Sequence, residues 1–144
     1  MAAIVGIAGL NSVTNAVKSG KHILLANKES YIVAGEILNQ LSNESGATIF
    51  PIDSEHSAIH QCLSGIKDQK SISKLILTGS GGPFLDRDIN TFNEITPEEA
   101  ISHPVWNMGP KISDDSSTMM NKCLEIIEAR WLFNNKNIEF LVIK

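Results

Sequence analysis

Cysteine is almost missing from this sequence. Two residues, Cys62 and Cys123, in a chain of 144 cannot build a disulfide framework, and they read as reduced thiols of a cytosol-like compartment. Long hydrophobic runs are missing too: no apolar stretch approaches the roughly 18 residues a membrane span needs, so a membrane anchor is not expected. Basic blocks are also lacking. The 12 Lys and Arg are outnumbered by 16 Asp and Glu, a net charge of −4, and no cluster of them would track a phosphate backbone. Nucleic acid is therefore not an expected partner. The apolar front, AAIVGIAGL, lacks the basic start and cleavage site of a signal peptide. Repeats and low-complexity segments are absent as well.

What is present suffices for one ordinary domain with a real core, since 42% of the residues are hydrophobic. Ala2–Ile7 reads as a short buried strand, followed by a helix with Val13, Ala16 and Val17 on one face that ends at Gly20. His22–Ala26 reads as a second strand. The next helix is expected to place Val33, Ala34, Ile37, Leu38 and Leu41 on its buried face and to stop near Gly46. Thr48–Ile52 and Lys74–Leu77 read as further strands. Thr96-Pro97-Glu98-Glu99 is a capping box that starts a short helix. Residues 103–110 hold two prolines and a glycine and read as a loop. A long helix is expected from Asp115 or Ser116 to Phe133, with Met120, Cys123, Leu124, Ile127 and Trp131 toward the core. The closing IEFLVIK reads as a strand whose neighbours are expected beyond Lys144, which suggests a piece of something larger.

Strand–helix alternation of this kind argues for a parallel α/β arrangement, in which ligands gather at the carboxyl ends of strands. Three polar clusters follow such strands: Asn27-Lys28-Glu29, Asp53-Ser54-Glu55-His56 and Thr78-Gly79-Ser80-Gly81-Gly82. In extended geometry Asp53 and Glu55 point the same way and would chelate a hard cation such as Mg²⁺ or Mn²⁺. The competing reading is a helix N-terminus, where carboxylates complement the dipole. His56 and His60, four residues apart, keep zinc open as a rival, although no HExxH pattern accompanies them. The glycine-rich turn with Ser80 would suit a phosphate, although a plain turn is equally common.

In series, AAIVGIAGL, GKHILLANKES, PIDSEHSAIHQCL, LILTGSGGPF, HPVWNMGPKIS and DSSTMMNKCLEIIEARWLF resemble the 1-deoxy-D-xylulose 5-phosphate reductoisomerase family, in its order and across essentially the whole chain. The resemblance implies an α/β fold: residues 1–53 as the C-terminal part of a Rossmann-like NADPH-binding domain, and residues 54–144 as a partial α+β catalytic domain. It implies metal-dependent rearrangement and NADPH reduction of 1-deoxy-D-xylulose 5-phosphate to 2-C-methyl-D-erythritol 4-phosphate, in non-mevalonate isoprenoid biosynthesis. The implied cofactors are NADPH and Mg²⁺ or Mn²⁺, with Co²⁺ as a further option. Asp53, Glu55 and Glu125 would hold the metal. Lys28, Ser54, Glu55, Ser80, His103, Ser116, Asn121, Lys122 and Glu125 would surround the phosphosugar, with Ser80, Ser116, Asn121 and Lys122 at its phosphate. Asn27, Glu29 and Gly109 would touch NADPH, and Trp106 and Met108 would sit on a flap. A homodimer and a bacterial cytoplasmic or plastid-type location are further implications.

Asp114 stands where the family usually has a small apolar residue, and is expected to weaken anion binding beside Ser116. Ser117 stands where alanine is usual. The family's front glycine-rich nucleotide loop and C-terminal helical domain are not represented. The alternative reading is a non-catalytic remnant or fragment that binds a divalent metal, a phosphosugar, or both.

Overall fold

The computed structural model describes residues 1–101 and 109–143. The chain divides into two compact units, Met1–Leu77 with Leu124–Glu139, and Thr78–Cys123 with Phe140–Lys144.

The first unit opens with a correction. Only Ala2 of the expected first strand is paired, through a bridge to Leu25, and Gly6–Gly9 forms a 3-10 turn. Gly6 takes a φ of +71°, which ends extended backbone there, and Ile4, Val5 and Ile7 are exposed. Helix α1 (Leu10–Lys18) buries Val13 and Val17. Strand β1 (His22–Leu25), helix α2 (Lys28–Ser45) and strand β2 (Thr48–Pro51) form a parallel crossover, with His22 opposite Thr48 and Leu25 opposite Pro51. Gly46 caps α2 in the left-handed region, where only glycine is free of strain. The core consists of Val13, Val17, Ile23, Leu25, Tyr31, Leu38 and Ala47.

Helix α2 buries only part of the face expected of it: Leu38 is in the core and Ala34 and Leu41 pack against it. Val33 and Ile37 are 63% and 59% exposed, while Ser30, Tyr31, Gly35 and Leu38 are buried. The cause is Trp131, which lies so close that a Cβ at Gly35 would be 2.3 Å from the indole Cγ. The helix presents its one glycine to that ring, and a non-helical Ala34 (φ −132°, ψ 22°) shifts the phase of its faces.

Helix α3 (Ser54–Leu63) starts directly after β2, and strand β3 (Leu75–Gly79) follows. In the second unit the capping box forms as expected: the Thr96 N–H donates to Glu99 Oε2 at 2.9 Å and the Glu99 N–H to Thr96 Oγ1 at 3.3 Å, starting helix α4 (Pro97–Ile101).

The single long helix is two. Helix α5 (Pro110–Ser117) begins inside the expected loop, using proline at its first position, and helix α6 (Met120–Leu132) follows a break. The break is at Thr118-Met119, where the Thr118 hydroxyl donates back to the Asp114 carbonyl and Met119 takes a φ of +60°. The face of α6 is corrected in part, since Trp131 packs against the core as expected. Glu125, Glu128 and Ala129 are buried, whereas Met120, Cys123 and Ile127 are exposed. Strand β4 (Ile138–Val142) finds its partner within the chain, in β3, with the Ile143 N–H donating to the Gly79 carbonyl at 2.9 Å.

Candidate functional site

The turn from β2 into α3 brings Asp53 to the N-cap position and Glu55 into the first helical turn. The pair is therefore at a helix start rather than on an extended segment, yet the Asp53 side chain makes no capping bond. It turns instead to Lys28 at the start of α2, whose Nζ lies 2.8 Å from Asp53 Oδ2 and 3.0 Å from Glu125 Oε1. Carboxylate oxygens of Asp53, Glu55 and Glu125 lie within 4.8 Å of one another. Glu55 also accepts from the Ser54 hydroxyl at 2.6 Å. Burial alone would lower the Lys28 ammonium, but Asp53 and Glu125 overcome it and hold the group charged. Burial would likewise raise Asp53, and His56 and Lys28 together hold it below the usual carboxylate range.

A second convergence adjoins this one. His56 is fully buried; its Nε2 is 2.9 Å from the Glu125 carbonyl, and its Nδ1 lies 3.4 Å from Asp53 Oδ1 and 3.5 Å from Glu128 Oε2. Burial pushes the Glu128 carboxyl up to about 7. Burial and the nearby Glu128 raise the Tyr31 phenol as well. Sequence reasoning did not single out Glu128. The signal was the three-residue spacing, because Asp53 with His56 and Glu125 with Glu128 each share a helix face. His60 does not join His56: it meets Phe50 edge-on at 5.8 Å and belongs to no metal-competent group among the described residues. The His56–His60 zinc pairing is therefore not formed.

In the second unit Ser80, Gly81, Gly82, Ser116, Met119, Asn121 and Lys122 line one concavity of about 30 Å³. That is a small space, on the order of one or two waters. Gly82 permits the close approach, since a Cβ there would lie 2.8 Å from the Ser116 carbonyl oxygen. Asp114 is exposed and outside this lining, contrary to its expected place beside the anion; its carbonyl accepts from the Ser117 hydroxyl at 2.9 Å.

Asn27 is buried, and its amide donates to the carbonyls of Ile4 at 2.6 Å and Gly6 at 2.8 Å and to Glu29 at 3.0 Å. That amide holds the Gly6–Gly9 turn against the start of α2. Gly109, exposed before α5, has no atom of the described residues, its chain neighbours aside, within 4 Å of where a Cβ would sit. His103, Trp106 and Met108 lie outside the described residues.

Comparison with known proteins gives the family. Residues 49–133 match the family model for the 1-deoxy-D-xylulose 5-phosphate reductoisomerase C-terminal domain, and residues 1–35 match the model for 1-deoxy-D-xylulose 5-phosphate reductoisomerase. The chain is 53% identical to the reductoisomerase of Shewanella frigidimarina and 55% identical to that of Haemophilus ducreyi, in each case over 99% of this chain and 38% of the relative. Among solved structures, a DOX-P reductoisomerase in complex with NADPH, fosmidomycin and magnesium superposes with a TM-score of 0.91 at 50% identity, covering 98% of this chain and 37% of the other. The Zymomonas mobilis enzyme in complex with NADPH gives 0.85 at 44% identity, covering 99% and 36%. The chain thus spans little more than a third of the length of these relatives. It belongs to the 1-deoxy-D-xylulose 5-phosphate reductoisomerase family.

Proposed function

We propose that this chain carries the metal and phosphosugar groups of a reductoisomerase that converts 1-deoxy-D-xylulose 5-phosphate, with NADPH, into 2-C-methyl-D-erythritol 4-phosphate. The observation that carries the reading is the convergence of Asp53, Glu55 and Glu125 around Lys28 in a chain of this family. Three carboxylates with no sulfur among them suit Mg²⁺ or Mn²⁺, the former being the ion in the fosmidomycin complex. They fit such an ion, and Asp53, Glu55 and Glu125 would hold it. When bound, a divalent cation polarises carbonyl and alkoxide oxygens of an α-hydroxy ketone.

The chain's own groups have separate tasks. Lys28 is a charged donor held against Asp53 and Glu125, and Ser54 a hydroxyl donating to Glu55. In the second unit Ser80, Ser116, Asn121 and Lys122 supply convergent donors and one positive charge for a phosphate. Asn27, Glu29 and Gly109 are the dinucleotide candidates, and the inward bonds of Asn27 fit it to shaping the turn rather than to touching a ligand. Residues 1–53 then belong to the NADPH-binding domain and residues 54–144 to the catalytic domain, with His103 at the substrate and Trp106 and Met108 on the flap. Homodimerisation and a cytoplasmic location accompany this reading; no helix among the described residues is long and apolar enough to cross a membrane.

A second reading is favoured by the coverage of 38%: a fragment that binds metal and phosphosugar without turnover. Thermal unfolding with fosmidomycin and Mn²⁺ tests the binding part. Joint protection lost in Glu125→Gln supports the site, and equal protection of that variant refutes it. Substrate-dependent NADPH oxidation then separates enzyme from fragment.

A further inference from the structure

The inward corner of Asp53 is not explained by the three-carboxylate group. Asp53 divides its oxygens: Oδ2 faces Lys28 and Oδ1 faces His56, and ligand atoms of Asp53, His56 and Glu128 lie within 4.8 Å of one another. Four buried atoms there have no hydrogen-bond partner among the described residues: Asp53 Oδ1, His56 Nδ1 and both oxygens of Glu128. Glu128 is 1% exposed and His56 fully buried, so solvent does not serve them. Buried polar atoms left so cost several kcal/mol in general, and they call for a positive charge among them.

The ring orientation narrows what that charge is. A carbonyl oxygen only accepts, so the 2.9 Å contact to Glu125 fixes the hydrogen on His56 Nε2. In the neutral ring Nδ1 is then a lone pair aimed at two carboxylates, and these carboxylates favour a positive charge there, a proton or a metal ion. The separations of 3.4 and 3.5 Å are too long for good hydrogen bonds. They match the ligand-to-ligand edge of about 3.4 Å in a tetrahedral site with bonds of about 2.1 Å. A metal-bound histidine commonly donates its other ring N–H to a backbone carbonyl, as His56 does here.

We propose that Asp53 Oδ1, His56 Nδ1 and Glu128 form a second cation site, of mixed nitrogen and oxygen donors, that takes Zn²⁺ or a similar borderline ion. It shares only Asp53 with the three-carboxylate group and does not depend on the catalytic reading. Asp53 would bridge the two positions, and Glu128, whose oxygens accept no hydrogen bond among the described residues, would become a ligand.

The test uses the whole chain, stripped with a chelator and loaded with Zn²⁺ alone. X-ray absorption is read on a background in which His22, His60 and His103 are each replaced by Gln, so that imidazole scattering from zinc arises only from His56. Such scattering is expected, together with loss of one bound ion per chain in Glu128→Gln and its retention in Glu55→Gln. Oxygen-only zinc, or a Glu128→Gln chain that keeps the full stoichiometry, overturns the proposal and leaves a proton as the charge. Should Glu128→Gln fail to fold by circular dichroism, the absorption spectrum of the background chain decides alone. Failure of the three-carboxylate site would appear separately, as unaltered Mn²⁺ affinity in Glu55→Gln.

Discussion

Replacing Gly35 by alanine tests the packing that sets the face of α2. Ordinary helix propensity favours the change by about 1 kcal/mol, since alanine is the better helix former. The structure opposes it. A Cβ at Gly35 would lie 2.3 Å from Trp131 Cγ, 2.5 Å from Cδ1 and 2.8 Å from Cβ. Comfortable carbon contacts are about 3.5–4.0 Å, so the indole must retreat by about 1 Å or more. Overpacking of that size costs about 3 kcal/mol at the upper end of its usual range. The net expectation is a loss of about 2 kcal/mol, or roughly 6 °C in melting temperature for a chain of this length. Urea unfolding followed by circular dichroism measures it. Because Trp131 and Glu125 share α6, the retreat should also weaken Mn²⁺ binding. In a Trp131→Leu background the same alanine should become nearly neutral, which a double-mutant cycle reads directly. A gain of about 1 kcal/mol in the wild-type background, the response of a solvent-facing glycine, would refute the reasoning.

Four further outcomes are expected. Gly79→Ala should weaken phosphate binding in calorimetry, because its Cβ would meet the far end of Lys122 at 2.7 Å, with a smaller cost in urea stability from Phe140 Cε2 at 3.1 Å. Lys122→Ala should abolish protection by phosphate in a thermal melt, with the free-chain melting point within a few degrees of wild type. Asn27→Ala strips the Ile4 and Gly6 carbonyls of a donor and should cost about 1–3 kcal/mol in urea unfolding. Thr96→Ala removes one half of the capping box and should cost about 1 kcal/mol, visible as faster amide exchange over α4.

Some features were legible because they are written locally. The capping box at Thr96 and the left-handed stop at Gly46 depend on residues within a turn or two, and the strand–helix–strand unit from His22 to Pro51 on the pattern of each of its elements. The serial motifs from LLANKES to TMMNK carried the family, since side-chain identity in order survives without any knowledge of packing. Asp53, Glu55 and Glu125 were named together only through that resemblance, and periodicity alone would have put Met120 and Ile127 of α6 inward instead.

Tertiary structure decided what faces what. Lys28 meets Glu125 across 97 residues of chain, and no local preference encodes that contact. Once Lys28, His56 and Asp53 gather beside α6, its acidic arc is the one with partners, so the helix buries Glu125 and Glu128 and exposes apolar side chains. The same reason turns Val33 and Ile37 outward on α2: only Gly35 admits Trp131. Local sequence sets where a helix starts and stops, but long-range packing and charge pairing choose its buried face.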